Sequence, residues 1–164
     1  MQFEFPIRVY YEDTDTGGIV FYANYLKFFE RARTEWLRSG RAAGRTAGRN
    51  AGSDRDAVRV PGISQQQVAD ELGLIFVVRS TAVDYKRPAR LDDVIRVVSR
   101  VERLGRVGID FYQEALIDSS ANGNGVLLAA GRIKVGCVTR DGLRPMPIPE
   151  SVRLIFAPVE ASAA

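Results

Sequence analysis

Histidine is absent from this chain of 164 residues, and cysteine occurs once. Without histidine there can be no Ser-His-Asp triad, no Cys-His pair and no His-ligated zinc ion, and one cysteine cannot supply a thiolate zinc site. Cys137 cannot form an internal disulfide, and within the apolar run RIKVGCVT we predict a small buried hydrophobic residue. Any catalysis must therefore rest on carboxylates, hydroxyls, Lys, Arg or backbone dipoles, and we expect no metal and no other cofactor.

Long hydrophobic runs are also absent, so no segment is predicted to span a membrane. The N-terminal residues MQFEFPIRVYY lack the basic region followed by an apolar stretch that marks a secretory signal. Apolar residues make up 46% of the chain and charged residues 26%, the balance of a soluble globular protein. We therefore expect a cytoplasmic protein.

Excess charge is confined to one segment. The net charge is +3, and residues 39–62 hold five Arg and two Asp, so the rest of the chain is balanced. This segment is rich in Gly and Ala and contains the near-repeat AGRT, AGRN, AGSD, which predicts a basic loop insertion at about residues 40–62. The alternatives are a row of Arg side chains that lies near an anionic ligand, and an RNA-binding tail. Because the remaining surface is neutral, we expect no nucleic-acid partner.

One long amphipathic helix is predicted over about residues 23–38, ending near Gly40, because its apolar residues recur at steps of three and four. A short helix follows, with a capping-box signature at Ser64 and Gln67 and a stop at Gly73. A last helix is predicted at about 150–156. The apolar stripe of the long helix consists of Leu26, Phe29, Ala32 and Trp36, widened by Tyr25 and Phe28.

The remaining regular segments are predicted to be strands. One precedes the long helix, at residues 5–11, and four follow the short helix with brief connections between them. Consecutive strands with short connections indicate antiparallel pairing. The predicted fold class is therefore α+β, a single domain over residues 1–164 whose antiparallel sheet of about five strands covers the long helix. Sheets this open often extend by pairing with a second copy.

The segment YYEDTDTGGIVFYANYLKFFERARTEW, residues 10–36, combines carboxylates, paired glycines and the start of the long helix. The glycines allow a tight turn and a close approach of the backbone to a ligand. The first N–H groups of the helix, near Tyr22 and Ala23, have no partners within the helix and lie at its positive end, where they can act as an oxyanion hole. Asp15 would then be the nucleophile or the base that activates water. The alternative is that Asp15 only forms the turn.

This segment resembles the active-site signature of the hotdog-fold 4-hydroxybenzoyl-CoA thioesterase family. The resemblance continues through FVVRSTAVDYKRPARLDDVIRV and GCVTRDGLRPMPIPESV, and it leaves out the basic insertion. It implies a hotdog fold, in which an antiparallel sheet of about five strands wraps around one long central helix. By this resemblance the catalytic residues are Asp15 and Tyr22, the latter through its backbone amide. Gly18, Asn24 and Glu30 are the expected substrate-binding residues.

The most similar branch is the acyl-CoA thioesterases associated with the Tol-Pal cell-envelope system. Residue 22 is Tyr, as in the 4-hydroxybenzoyl-CoA enzymes, whereas the Tol-Pal-associated branch usually has His at this position. The identity of the acyl group of the substrate is therefore left open. Each residue also has a structural interpretation. Asp13 can cap the loop, Glu30 can pair with Arg33 or Thr34, and Asn24 can serve packing. Residues 86–88, KRP, and the Arg132/Lys134 pair can hold coenzyme A phosphates or lie solvated.

The resemblance implies an acyl-CoA thioesterase that releases free acid and coenzyme A. The expected partners are an acyl-CoA substrate, an acyl carrier protein, and further copies of the chain in a homodimer or homotetramer. The alternative function is a non-catalytic module that binds acyl-CoA or acyl carrier protein at the cell envelope. That module would bind ligand saturably without releasing thiol.

Overall fold

The computed structural model describes residues 2–40, 60–118 and 125–157. The basic insertion predicted at about 40–62 lies outside these ranges except at its two ends. The chain order is strand, long helix, short helix, four strands and a last short helix. The strands are β1 (Gln2–Arg8), β2 (Leu74–Tyr85), β3 (Val94–Leu104), β4 (Gly108–Ile117) and β5 (Val126–Thr139); the helices are α1 (Asn24–Ser39), α2 (Gln65–Leu72) and α3 (Glu150–Phe156).

The strands form one five-stranded antiparallel sheet in the order β1-β3-β4-β5-β2. This confirms the predicted α+β class. The expectation that β2 and β3 pair as neighbours was wrong, because β2 pairs with β5 and β3 pairs with β1. The connection between β2 and β3 is engaged elsewhere: Ala89 O accepts from Val20 N at 2.9 Å, and Arg90 forms an isolated bridge with Ile19. It therefore holds the loop before α1 instead of turning a hairpin.

α1 packs its apolar stripe against the sheet. Phe28, Phe29, Ala32 and Trp36 are fully or almost fully buried, whereas Leu26 is 38% exposed. The prediction that Leu26 belongs to the buried stripe was wrong. At 100° per residue, Leu26 lies about 100° around the helix from Tyr25, on the flank of the buried face. The ring of Trp36 stacks on Phe3 and meets Phe111 and Phe156 edge-on.

A buried polar residue joins the helix to the centre of the sheet. Gln113 on β4 is fully buried, and its Nε2 donates to the Phe29 carbonyl at 3.0 Å and to Ser99 Oγ at 2.8 Å. Its Oε1 accepts from Arg33 Nη1 at 2.6 Å. Buried amides of this kind need their partners, so these bonds favour one register of α1 over the sheet.

The predicted helix ends are confirmed. Gly40 is the C-cap of α1, with φ of 68°, and Ser64 and Gln67 form the capping box of α2, which ends at left-handed Gly73. Cys137 is fully buried, as predicted. Within the described residues, no helix is both long and apolar enough to cross a membrane.

Candidate active site

The loop between β1 and α1 folds back on itself as a short hairpin. Asp15 N donates to Ile19 O at 2.9 Å, Gly18 N donates to Asp15 O at 3.0 Å, and Thr14 bridges Val20. Gly18 has a φ of 71°. A tight turn closed by a left-handed residue is a common three-residue hairpin, and glycine adopts that conformation without steric cost. The turn holds Asp15 at the tip of the hairpin.

The carboxylate of Asp15 is anchored on one side only. Its Oδ1 accepts from Gly17 N at 2.8 Å, and a Cβ on Gly17 would lie 3.1 Å from that oxygen. Oδ2 has no hydrogen-bond partner among the described residues, and the side chain is exposed. One oxygen thus orients the group while the other is free to meet a ligand. The turn-forming role and a chemical role are therefore compatible.

The start of α1 presents two uncommitted amides. Phe21 N donates to Asp13 O and Asn24 N donates to Phe21 O, each at 2.9 Å. Between them, the N–H groups of Tyr22 and Ala23 donate to no acceptor in the described part of the chain. These groups sit at the positive end of the helix dipole. An oxygen that gains negative charge at this point would be stabilised by both.

Asp13 has a larger structural role than the predicted loop cap. Its side chain is 1% exposed, and its Oδ2 accepts from Tyr10 N at 3.0 Å. Lys27 Nζ, on the first turns of α1, lies 3.6 Å from Oδ1. The cap was predictable from the local sequence. The ion pair was not, because only the folded hairpin brings Lys27 beside Asp13.

A cavity of about 290 Å³ opens beside this hairpin. Three of its eight lining residues are tyrosines, three are Ile, Val or Pro, and two are cations. Burial raises the pKa of Tyr25, and it also raises the pKa of Tyr85, as does the neighbouring Tyr22. Pockets of this kind, apolar with a few charged groups, are typical ligand sites. The lining residues are Ile19, Val20, Tyr22, Tyr25, Tyr85, Lys86, Arg87 and Pro88.

The residues expected to bind substrate have other partners in this structure. The Gly18 N–H is committed to the turn, and Asn24 Nδ2 donates to Asp13 O at 2.9 Å. Glu30 is exposed, and its Oε1 accepts from Thr34 Oγ1 at 2.6 Å. Glu30 also lies about 9 Å further along the helix than Asn24, at a rise of about 1.5 Å per residue. Substrate contact by these three residues remains a prediction.

The two candidate phosphate sites, Lys86–Pro88 and the Arg132/Lys134 pair, differ in their surroundings. Lys86 and Arg87 line the cavity beside the hairpin. Arg132 instead donates from Nε to both carboxylate oxygens of Glu102 at 3.2 Å and lies over the ring of Tyr112. Within the described residues, no group of three or more His, Cys, Asp or Glu side chains is arranged to hold a metal ion.

An antiparallel sheet covering one long helix, with an acidic hairpin at the start of that helix, is the arrangement expected of a hotdog thioesterase. The chain belongs to the thioesterase-like superfamily, whose family model matches residues 9–156. It is a thioester hydrolase, and the resemblance inferred from the sequence motifs is confirmed.

Individual relatives cover nearly the whole chain. It is 36% identical to acyl-CoA thioesterase YbgC of Haemophilus influenzae over 94% of this chain and 93% of that protein. Identity to acyl-CoA thioester hydrolase YbgC of Escherichia coli O6:H1 is 34%, over 92% of each chain. A crystal structure of a 4-hydroxybenzoyl CoA thioesterase variant in complex with 4-hydroxybenzoyl CoA matches with a TM-score of 0.73 at 16% identity, over 95% of this chain and 99% of that one. At that identity the structural match speaks for the fold alone.

Proposed function

We propose that this enzyme hydrolyses acyl-CoA thioesters to a free acid and coenzyme A, with Asp15 and the start of α1 as its chemical centre. The names of the two YbgC relatives support the substrate class. The observation that carries the proposal for the site is the pair of uncommitted amides at Tyr22 and Ala23, next to the hairpin that presents Asp15.

The hairpin register supports a common reaction centre. Asp13 lies opposite Phe21 and Asp15 lies opposite Ile19, so the hairpin leads directly from the Asp15 tip into the first turn of α1. A thioester carbonyl oxygen directed at the Tyr22 and Ala23 amides would receive two hydrogen bonds that strengthen as negative charge develops on it. This effect needs no side chain at residue 22, so Tyr can stand there without loss of the oxyanion hole.

Asp15 has two chemically complete roles. As a nucleophile, its free oxygen attacks the carbonyl carbon, the C–S bond breaks, and water then cleaves the acyl-enzyme anhydride. As a general base, it takes a proton from the water that attacks the same carbon. In both routes the thiolate of coenzyme A leaves and is protonated, and water supplies the new oxygen of the acid. Neither route uses histidine.

The cavity beside the hairpin suits the rest of such a substrate. Its aromatic walls can take apolar parts of the acyl or pantetheine groups, and Lys86 and Arg87 offer two cations for phosphates. We assign the coenzyme A phosphates to these two residues. Arg132 is the weaker candidate because Glu102 already neutralises it.

The first test is thiol release from a panel of acyl-CoAs, short and long aliphatic and aromatic, with a chromogenic thiol reagent. Asp15→Asn should lower kcat by about 10²- to 10⁴-fold, the usual contribution of a general base or nucleophile. Glu12→Gln is the matched control, since it removes the same charge from an exposed position of the same loop. Saturable acyl-CoA binding without thiol release by the wild type would instead establish the non-catalytic binding module.

A second test separates the backbone of residue 22 from its side chain. Tyr22→Ala keeps the amide N–H and should retain kcat, whereas Tyr22→Pro removes that donor and should lower kcat by about 10²- to 10³-fold. Circular dichroism and thermal unfolding check that both variants fold. Equal kcat in the two variants would mean that the Tyr22 amide is not part of the oxyanion hole.

We also propose that two copies pair through β2, as a homodimer or as half of a homotetramer. β2 is twelve residues long and pairs on one side only within the described sheet. Val78 and Tyr85 on this edge are 53% and 45% exposed. Long unpaired edges are templates for strand pairing. A cytoplasmic location and an acyl carrier protein as a partner remain predictions.

A further inference from the structure

A second cavity, of about 40 Å³, lies along the second half of α1. Its walls come from all three helices and from the sheet, and none of them belongs to the Asp15 hairpin. Apart from Arg33 and Gln65, all of them are apolar. The lining residues are Arg33, Leu37, Gln65, Phe76, Ile109, Phe111, Val135 and Phe156.

Arg33 brings a positive charge to this cavity. Among the described residues its only hydrogen bond is the one from Nη1 to the neutral Gln113 Oε1, and the guanidinium carbon lies 5.9 Å from the centre of the Phe111 ring. No carboxylate within the described residues forms an ion pair with it. Glu30 is one turn away, but its carboxylate accepts from Thr34.

The surroundings of Arg33 disfavour its charged form. Burial lowers the pKa of the Arg33 guanidinium to about 10, against the opposing effect of Glu30. A largely buried cation is stabilised when an anion joins it, because the attraction offsets the lost hydration. Arginine presents its donors as a planar fork that matches a carboxylate in a bidentate arrangement. The free donors of Arg33 are therefore suited to a carboxylate inside the cavity.

We propose that the cavity along α1 binds a short-chain carboxylate, with the anionic group on Arg33 and the alkyl group against the phenylalanine walls. At about 10–15 Å³ for each water-sized group, the space of about 40 Å³ holds about three or four groups, so a carboxylate and at most one carbon fit, and the rest of an alkyl tail must leave through the opening. A carboxylic acid is also the class of product that thioester hydrolysis releases. The binding itself does not depend on the proposed function.

The protein contains its own reporter for this cavity. Trp36 is its single tryptophan, and its ring centroid lies 6.2 Å from that of Phe111 and 5.1 Å from that of Phe156, two of the cavity walls. Butyrate is titrated against Trp emission at constant ionic strength, and butyramide serves as the uncharged analogue. The titration is run on the wild type and on Asp15→Asn. We expect the same butyrate response in both proteins, because Asp15 does not line this cavity. This expectation does not depend on whether Asp15 acts in hydrolysis.

Variants assign the response to Arg33. Arg33→Met should weaken butyrate binding about ten-fold or more, because the charge-assisted bonds of the guanidinium are lost. Arg33→Lys should be intermediate, and Arg31→Met, at an exposed position on the same helix, should bind as the wild type does. Equal responses to butyrate and butyramide, an unchanged Arg33→Met titration, or no saturable response would overturn the proposal. If Arg33→Met does not fold, the lysine variant and the butyramide comparison decide.

Discussion

At the residue scale, two carboxylates of one hairpin occupy opposite environments. Asp13 is almost completely buried and is bound by Tyr10 N and Lys27, while Asp15 is exposed and has one free oxygen. Burial with partners suits a group that fixes the loop, and exposure with one anchored oxygen suits a group that reacts. The sequence DTD by itself does not distinguish the two aspartates.

Replacing Asp13 tests this division of roles. Asp13→Ala leaves the Tyr10 N–H without its acceptor, so we expect the free energy of unfolding to fall by about 1–3 kcal/mol. Because the hairpin that carries Asp15 also loses its ion pair with Lys27 on α1, kcat should fall as well. Urea denaturation and thiol-release kinetics measure the two effects. Glu12→Ala is the control, since Glu12 is exposed; equal losses in both variants would show that Asp13 does not hold the loop.

At the element scale, local signals predicted local structure. The capping box at Ser64 and Gln67 and the stops at Gly40 and Gly73 depend on neighbours within a few residues, and the structure confirms each of them. The predictions that Leu26 is buried and that β2 pairs with β3 were wrong, because burial and strand pairing also depend on tertiary contacts that periodicity does not encode. Periodicity gives the width of an apolar stripe only approximately, and the partner of β2 is chosen by long-range packing.

The segment that leads from β1 into the Asp15 hairpin also shows that local sequence signals do not predict tertiary contacts. The first strand was predicted at residues 5–11 but runs over Gln2–Arg8, and residues 11–13 form a 3₁₀ turn. The aromatic residues Tyr10 and Tyr11 favour a strand, but the Asp13 side chain accepts from the Tyr10 amide and turns the chain. The Asp15 hairpin and the helix start were predictable from glycines and periodicity. The Lys27 contact and the Arg33 cavity were not, because they need the tertiary fold.

β5 carries the single thiol, and its burial predicts an alkaline effect on stability. Burial raises the pKa of Cys137, so folding favours its neutral form. A raised folded pKa adds stability that is fully present below the unfolded value of about 8.5 and is lost as the pH rises through the folded value. Urea denaturation measures the free energy of unfolding of the wild type and of Cys137→Ala at pH 7.5 and at more alkaline pH. As the pH rises, this free energy should fall less in Cys137→Ala than in the wild type.

The same burial protects the thiol from reagents. Cys137 is fully buried, so it should react with the chromogenic thiol reagent only when the protein unfolds. Following the reagent colour in buffer and in urea checks this directly. Rapid reaction of the native protein would contradict the burial of β5, and it would also require a correction to the thiol-release assay.

At the scale of the whole molecule, α1 links two sites of different chemistry. Its start faces the Asp15 hairpin and the larger cavity, and its second half carries Arg33 in the smaller one. Gln113 ties the middle of the helix to β4, so a shift of α1 would move both sites together. The helix therefore sets the distance between the site proposed for hydrolysis and the site proposed for a carboxylate.

The edge of the described sheet at β2 is the surface through which we propose that two copies pair. Val78→Asp places a charge on that edge at a residue that is 53% exposed, so the folded single chain should change by no more than about 0.5 kcal/mol. A dimer paired through β2 would instead bury that charge and should dissociate. Light scattering coupled to size-exclusion chromatography measures the mass of each variant.

Val94→Asp is the matched control, since Val94 is 43% exposed but lies at the start of β3, a strand inside the sheet. A dimer in the wild type and in Val94→Asp but not in Val78→Asp would locate the contact on β2. If all three proteins have the mass of one chain, the irregularity between Val78 and Ser80, together with Arg79, keeps the edge from pairing, as bulges and charges do on other exposed edges. The Asp15 site would then have to work with the residues of a single chain.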